Sequence, residues 1–311
     1  MAAVASSQTA MAAVINNSTA LNAVVSSSTA MTAIASSSTA MAAIFRSSTA
    51  LQVVQDNASA WAIFSNASSA VMGKTVAELA GLNPSSYADM NAIASSQTAM
   101  TAIASSQTAR AAIEKSQVAK DAIAASDMAT AKYAVGAAGL KPADYANMAA
   151  VAASQTAMTA VCSSALAFNA ALKNSTARTQ LAGSSYLQSN YDKLLSIIGN
   201  STYFSQKFDN IDSGAKRAIS GGNTDTTATA NESVFLCKKI GAWSNGNSVT
   251  GTVAHLQTKT TAGSISTRAG GGQSTDDYTT GGVQAKYICI GGCTFTENGD
   301  AYCCGIFAFA K

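Results

Sequence analysis

The first seventy residues repeat a ten-letter beat: MAAVASSQTA, MAAVINNSTA, LNAVVSSSTA, MTAIASSSTA, MAAIFRSSTA, LQVVQDNASA and WAIFSNASSA. One such beat carries too few large apolar side chains to bury them alone, so neighbouring beats must stack. The larger apolar residues fall at positions 1 and 4, as in Met31/Ile34 and Met41/Ile44. Ala fills positions 3 and 10 almost throughout, and Ser and Thr cluster at positions 6 to 9. Spacings of three and seven share one helical face. Ala is the best helix former, and neither Gly nor Pro interrupts these seventy residues. The spacing therefore predicts helix. Three turns in ten residues is about 3.3 residues per turn, tighter than the ordinary 3.6. Two arrangements satisfy that period. One is a strongly supercoiled bundle; the other is an array of short helices, each about two turns long, with Ser and Thr capping the next.

A longer repeat lies over the first. AGLNPSSYADMNAIASSQTAMTAIASSQTA (80–109) is matched by AGLKPADYANMAAVAASQTAMTAVCSSALA (138–167). Both prolines of the chain, Pro84 and Pro142, occupy the same place in it, followed by Tyr87 and Tyr145. Gly suits a helix end and Pro the first turn of the next helix, so Gly81–Pro84 and Gly139–Pro142 are expected to be corners. Residues 184–222, richer in aromatic and charged side chains, read as a helical cap on the repeats. The polar stretch 223–231 reads as a linker.

From Glu232 the pattern changes. SVFLCKKIGAW and SVTGTVAHLQT flank Ser244-Asn245-Gly246-Asn247, and AKYICIGGCTFT and AYCCGIFAFAK flank Glu297-Asn298-Gly299-Asp300. Asn-Gly between apolar runs signals a β-hairpin, so 232–311 is expected to be a small antiparallel β domain. A tight turn at Asn298-Gly299 would place Phe295 opposite Tyr302, Cys293 opposite Cys304 and Ile290 opposite Phe307. The intervening 260–282 is rich in Gly, Ser and Thr and reads as an exposed, functional loop. The fold class is thus α+β in separate regions: helical repeats at 1–81 and 82–183, the cap, the linker and the β domain.

Composition narrows the function. The net charge is +3 and only 11% of residues are charged, which gives no argument for nucleic acid or an acidic partner. Ser, Thr, Asn or Gln breaks every apolar run at the start of the chain, so neither a signal peptide nor a membrane span is expected there. Of the six cysteines, Cys237, Cys289, Cys293, Cys303 and Cys304 lie in the β region. Three readings stand for them: buried small apolar side chains, a zinc site of poor spacing, or a Cys293–Cys304 cross-strand disulfide formed after release from a reducing compartment. The one histidine, His255, cannot build a catalytic triad, although three copies could meet on a trimer axis around a metal. Asp276-Asp277 and Glu297/Asp300 sit where turns favour acidic residues, and Gly270–Gly272 lacks the Lys-Ser/Thr of a phosphate loop. No enzyme activity and no cofactor are expected.

The beat exemplified by MTAIASSSTAMAAI resembles the Ala/Ser/Thr-rich repeats of tail-fibre and related tail proteins of bacteriophages, over residues 1 to about 180. The resemblance implies a virion appendage assembled in a bacterial cytoplasm as an elongated homotrimer. Its N-terminal end would attach to other tail or baseplate proteins, and its C-terminal tip would contact a glycan or protein of the host surface. It supplies no catalytic motif. On residue type, the contact is expected from Arg268, Gln273, Asp276, Asp277 and Tyr278, since hydroxyls, amides and an aromatic suit a polar surface. Two other classes fit the composition: a purely structural collar, baseplate or head appendage, and an ice-binding or surface-coating protein. The last predicts threonines on one exposed ridge.

Overall fold

In the computed structural model the described residues are 1–206, 219–220, 226–230, 233–243, 248–256, 258–268, 283–298 and 300–311. The chain divides into two compact units, Met1–Asn147 and Met148–Lys311. In the first unit each beat is one short helix. These are α1 (Ala2–Ala5), α2 (Gln8–Ile15), α3 (Ser18–Val25), α4 (Ser28–Ala35), α5 (Ser38–Arg46), α6 (Ser48–Asp56), α7 (Ala58–Ser65) and α8 (Ser69–Leu79). After a corner come α9 (Met90–Ser95), α10 (Gln97–Ser105), α11 (Gln107–Glu114), α12 (Gln117–Ala124) and α13 (Asp127–Ala137). Of the two arrangements open to the ten-residue period, the array of short helices is the one that forms. The stripe never drifts, because each helix starts afresh.

The restart is a side-chain cap. Ser7, Asn17, Ser27, Ser37, Ser47 and Asn57 each adopt an extended conformation and accept a hydrogen bond from the backbone N–H three residues on, always an alanine. Ser96, Ser106, Ser116 and Ser126 repeat the device. That alanine's methyl is buried in nearly every beat: Ala40, Ala50, Ala99, Ala109, Ala119 and Ala129 are 0% exposed. Position 9, the conserved-looking Thr of the beat, is the second residue of the helix and not its cap.

One extended residue turns the chain enough for every third helix to stack on its predecessor. Helix α4 lies on α1, α5 on α2, α6 on α3, α7 on α4 and α8 on α5. Beyond the corner α11 lies on α8, α12 on α9 and α13 on α10. The unit is a solenoid of three helices per coil. Its core is the residues at positions 1, 4 and 10, with Met31, Ile34, Met41 and Ile44 at most 1% exposed. Coils are also tied by hydrogen bonds. Ser37 Oγ donates to Ala5 O (2.6 Å) and Ser106 Oγ to Leu79 O (3.1 Å). Arg46, the first charge in the chain, pairs with Glu78 one coil on (2.9 Å).

Both expected corners form. Gly81 and Gly139 adopt φ of 75° and 80°. Leu82 N–H reaches back to Ala77 O and Gly81 N–H to Glu78 O, and Leu140 and Gly139 repeat the pair on Val135 and Gly136, closing each helix in the paired pattern that an αL glycine permits. Pro84 and Pro142 then open single 3₁₀ turns. At the second corner the fully buried Lys132 donates through Nζ to the carbonyls of Pro142 (3.0 Å) and Tyr145 (3.3 Å).

The second unit begins with four more beats, α14 (Met148–Ala152), α15 (Gln155–Cys162), α16 (Ala165–Lys173) and α17 (Ser175–Gly183), then α18 (Tyr191–Gly199). Nine strands follow among the described residues: β1 (Phe204–Gln206), β2 (Ile219–Ser220), β3 (Thr226–Ala230), β4 (Val234–Trp243), β5 (Ser248–His255), β6 (Thr261–Arg268), β7 (Val283–Ile290), β8 (Cys293–Asn298) and β9 (Asp300–Ala310). They form two antiparallel sheets. The first has the order β1-β9-β4-β7, with β2 also on β9; the second has the order β3-β8-β5-β6. Counting from β2, the first sheet runs 2-9-4-7 and the second 3-8-5-6, which is the two-sheet jelly-roll topology.

Several expectations change here. The helical cap ends at Gly199: Phe204 begins a strand, stacks near Phe168 (6.2 Å between ring centroids) and pairs with Ala310. Residues 226–230 of the expected linker are strand β3, and 261–268 of the expected loop are strand β6. Both read as unstructured because Thr and Ser, which favour strands, carry no apolar signal. Neither Asn-Gly segment joins a hairpin. Strands β4 and β5 lie in different sheets, as do β8 and β9. In place of the expected facing pairs, Phe295 lies opposite Val253, Ile290 opposite Val234 and Phe307 opposite Phe235.

Two substitutions test the solenoid. Ser106→Ala removes a cap and an inter-coil bond together, for an expected loss of about 1–2 kcal/mol in urea unfolding. A Cβ at Gly136 would sit 2.2 Å from Ala104 O on α10, so Gly136→Ala is expected to cost about 1–3 kcal/mol despite its better helix propensity.

Candidate functional site

The two sheets of the second unit have different surroundings. An added Cβ at Gly263 on β6 would strike the Tyr287 ring, so Tyr287 points from the first sheet toward the second. Residues opposite or in phase with it, Phe235, Cys237, Cys289 and Phe307, share that inner side. The other side of the first sheet carries Val234, Leu236, Ile288, Ile290 and Ala308, each at most 2% exposed. Helices α16, α17 and α18 pack there. Its outermost strand is sealed by one side chain: Gln188 Nε2 donates to Ile288 O (3.0 Å) and its Oε1 accepts from Ile288 N–H (2.9 Å). A carboxamide thus takes the place of a neighbouring strand's peptide group, the sort of device that stops edge pairing.

The second sheet alternates cleanly. Gly251, Val253, His255, Gly263, Cys293 and Phe295 are buried on its inner side. On its outer side are Thr250, Thr252, Ala254, Ser264, Thr294 and Thr296, all at least partly exposed. Register aligns them into rows. Thr252 lies opposite Thr296 on one side and Ser264 on the other, and Thr296 lies in turn opposite Thr227. Thr294 lies opposite Ala254 and Thr229; Thr250 lies opposite Asn298 and Ser266. Neighbours in a row are about 4.8 Å apart and successive rows about 6.8 Å. Those six outer residues bring hydroxyls and methyls and no charge. The alternation in SVTGTVAH and CTFT is the sequence signal for this face; it shows only when each strand residue is assigned to a side.

The residues expected to make contact fall around this surface only in part. Arg268 ends β6, opposite Ser248 at the edge of the same sheet. Gln273, Asp276, Asp277 and Tyr278 lie outside the described residues. The Cys293–Cys304 pairing is corrected: Cys293 lies opposite His255 and Ala230 in one sheet, Cys304 opposite Lys239 in the other, and Cys293 is a free thiol. Cys162, Cys237 and Cys289 are also buried and in no disulfide. Burial pushes the Cys162 thiol up to about 12, which removes it as a nucleophile. Among the described residues no group of three or more His, Cys, Asp or Glu is placed to hold a metal. None of their helices is long and apolar enough to cross a membrane.

His255 is 2% exposed, and its Nδ1 accepts from Ile290 N–H (3.1 Å). That bond joins the two sheets and requires an unprotonated Nδ1. In the solenoid, the position-9 residues divide among three sides: Thr9, Thr39 and Ser69 ride on α2, α5 and α8, and Thr19 and Thr49 on α3 and α6. They make no single ridge. No protein-family model and no curated protein matches the chain.

Burial lowers the His255 pKa from its ordinary value. The unfolded chain takes up a proton near pH 6.5 that the folded ring refuses, so stability is constant above that pH and falls as acid is added below it. Urea unfolding at pH 7.5, 6.5 and 5.5 is expected to show this decline, and His255→Asn, which cannot titrate there, to flatten it.

Proposed function

We propose that this protein is a structural, adhesive virion appendage of tail-fibre type, in which stacked helical coils act as spacer and the outer face of the second sheet is the contact surface. The observation that carries the reading is the row of hydroxyls Thr296–Thr252–Ser264 on a sandwich whose other broad face is covered by helices. Uncharged small hydroxyls of this kind can exchange hydrogen bonds with a neutral, hydroxyl-rich surface without desolvating a charge. Jelly rolls also occur in viral capsid and lectin domains, an analogy of fold and not of site. The tail-fibre resemblance adds a homotrimer, attachment to the virion by the N-terminal end and a host-surface glycan or protein as the partner at the tip; the neutral hydroxyls of Thr252, Thr296 and Ser264 favour the glycan. The solenoid core itself calls for no second copy, because each coil stacks on the next within the chain.

Purified protein on an array of bacterial surface polysaccharides provides the test. Thr252→Lys/Thr296→Lys, which alters only outward positions, is expected to weaken binding about tenfold or more with an unchanged melting midpoint. Wild-type protein that binds no glycan, or a double variant that binds equally well, would remove the reading. The regular threonine rows also favour a second reading, recognition of an ordered lattice such as ice. Thermal hysteresis in the wild type, absent in the double variant, would select it.

A further inference from the structure

Strands β7 and β8 are consecutive but belong to different sheets, and only Ile290-Gly291-Gly292 separates Cys289 from Cys293. Gly291 and Gly292 both take positive φ, 73° and 92°, a path open to glycine that folds the chain from one sheet to the other within two residues. The reversal lays Cys289 on the inner side of the first sheet and Cys293 on the inner side of the second. Both are 0% exposed, and their thiols are hydrogen-bonded to each other. A covalent bond between them would join the two sheets at the corner where the chain itself passes from one to the other. The His255–Ile290 bond crosses between the sheets at the same corner.

We propose that Cys289 and Cys293 form a redox staple: dithiol in a reducing compartment, disulfide once the protein meets an oxidising medium. The oxidant is a small-molecule disulfide. One protein thiolate attacks it and releases one small thiol, leaving a mixed disulfide. The other thiolate then displaces the second small thiol, so that one disulfide bond breaks, one forms, and two thiols leave. Burial and the shared hydrogen bond hold Cys289 well above its ordinary pKa, with Cys293 the first cause and desolvation the second. The exchange is therefore slow and proceeds through local opening of the corner. Once closed, the staple confines the β7–β8 connection in the unfolded chain and resists separation of the sheets.

The test uses the full-length protein, incubated with oxidised glutathione or with reduced glutathione, alkylated without reduction, and cut with trypsin and a glutamyl endopeptidase. Cleavage after Lys286 and Glu297 isolates Tyr287–Glu297, which holds Cys289 and Cys293 and neither Cys303 nor Cys304. The expected result is a peptide unalkylated and lighter by two hydrogen atoms after oxidation, and doubly alkylated after reduction. Cys289→Ser and Cys293→Ser should each abolish the loss. The oxidised wild type is expected to melt higher by on the order of 5 °C, a shift absent from both variants. Doubly alkylated peptide after prolonged oxidation overturns the staple, as does a link from Cys289 to Cys237, its other sulfur neighbour. A closed pair that lowers the melting midpoint shows a strained bond and overturns it equally.

Discussion

Every coil of the solenoid depends on one kind of hydrogen bond, from a backbone N–H, an alanine's in nearly every beat, to the hydroxyl or amide oxygen three residues before it. An eight-residue helix is too short to persist alone in water, since nucleation costs more than so few residues return. The cap lowers that cost at the helix start, and the same alanine then places its methyl against the next coil. One residue thus serves capping and packing at once, which explains why it varies so little along the beat. Ser or Asn can occupy the cap, as Ser37 and Asn57 do, because either presents an acceptor at the right reach. Three residues later the side chain is usually a methyl held between coils: Ala40, Ala50 and Ala109 are wholly buried.

Much of this was open to reading from composition and spacing. The helical stripe, the glycine-proline corners and the strands beyond residue 232 all express local preferences that tertiary context does not overrule. The choice between supercoil and short helices was not open to reading. Both place Met31 and Ile34 inside, and only the extended backbone at the caps separates them. In the sandwich the Asn-Gly segments misled because a turn signal states that the chain reverses and not which sheet receives it. Strands β3 and β6 were missed for a related reason. Their sequences, TTATA and TAGSISTR, are suited to a sheet by branching at Cβ, yet offer almost nothing to a search for buried residues.

The contrast between the two sheets follows from what each side touches. Val234, Phe235, Leu236 and Cys237 are consecutive and all buried, as a strand covered on both faces requires. The second sheet, covered on one face, keeps apolar and hydroxyl residues in strict alternation, and only such a sheet can offer a broad surface to a partner. Of the contact residues expected from the Gly-rich segment, Arg268 is the one among the described residues, at the end of β6. The rows on the sheet itself needed the register of β5, β6 and β8, which no single strand reveals.

The stacking of every third helix makes length a stepped quantity. Inserting one beat would advance all later helices of the solenoid by a third of a coil, moving each side chain to a different side of the prism. Inserting three restores the phase and adds one whole layer. A spacer built in this way can be lengthened or shortened by duplication without disturbing the faces it presents, but only in increments of a full circuit.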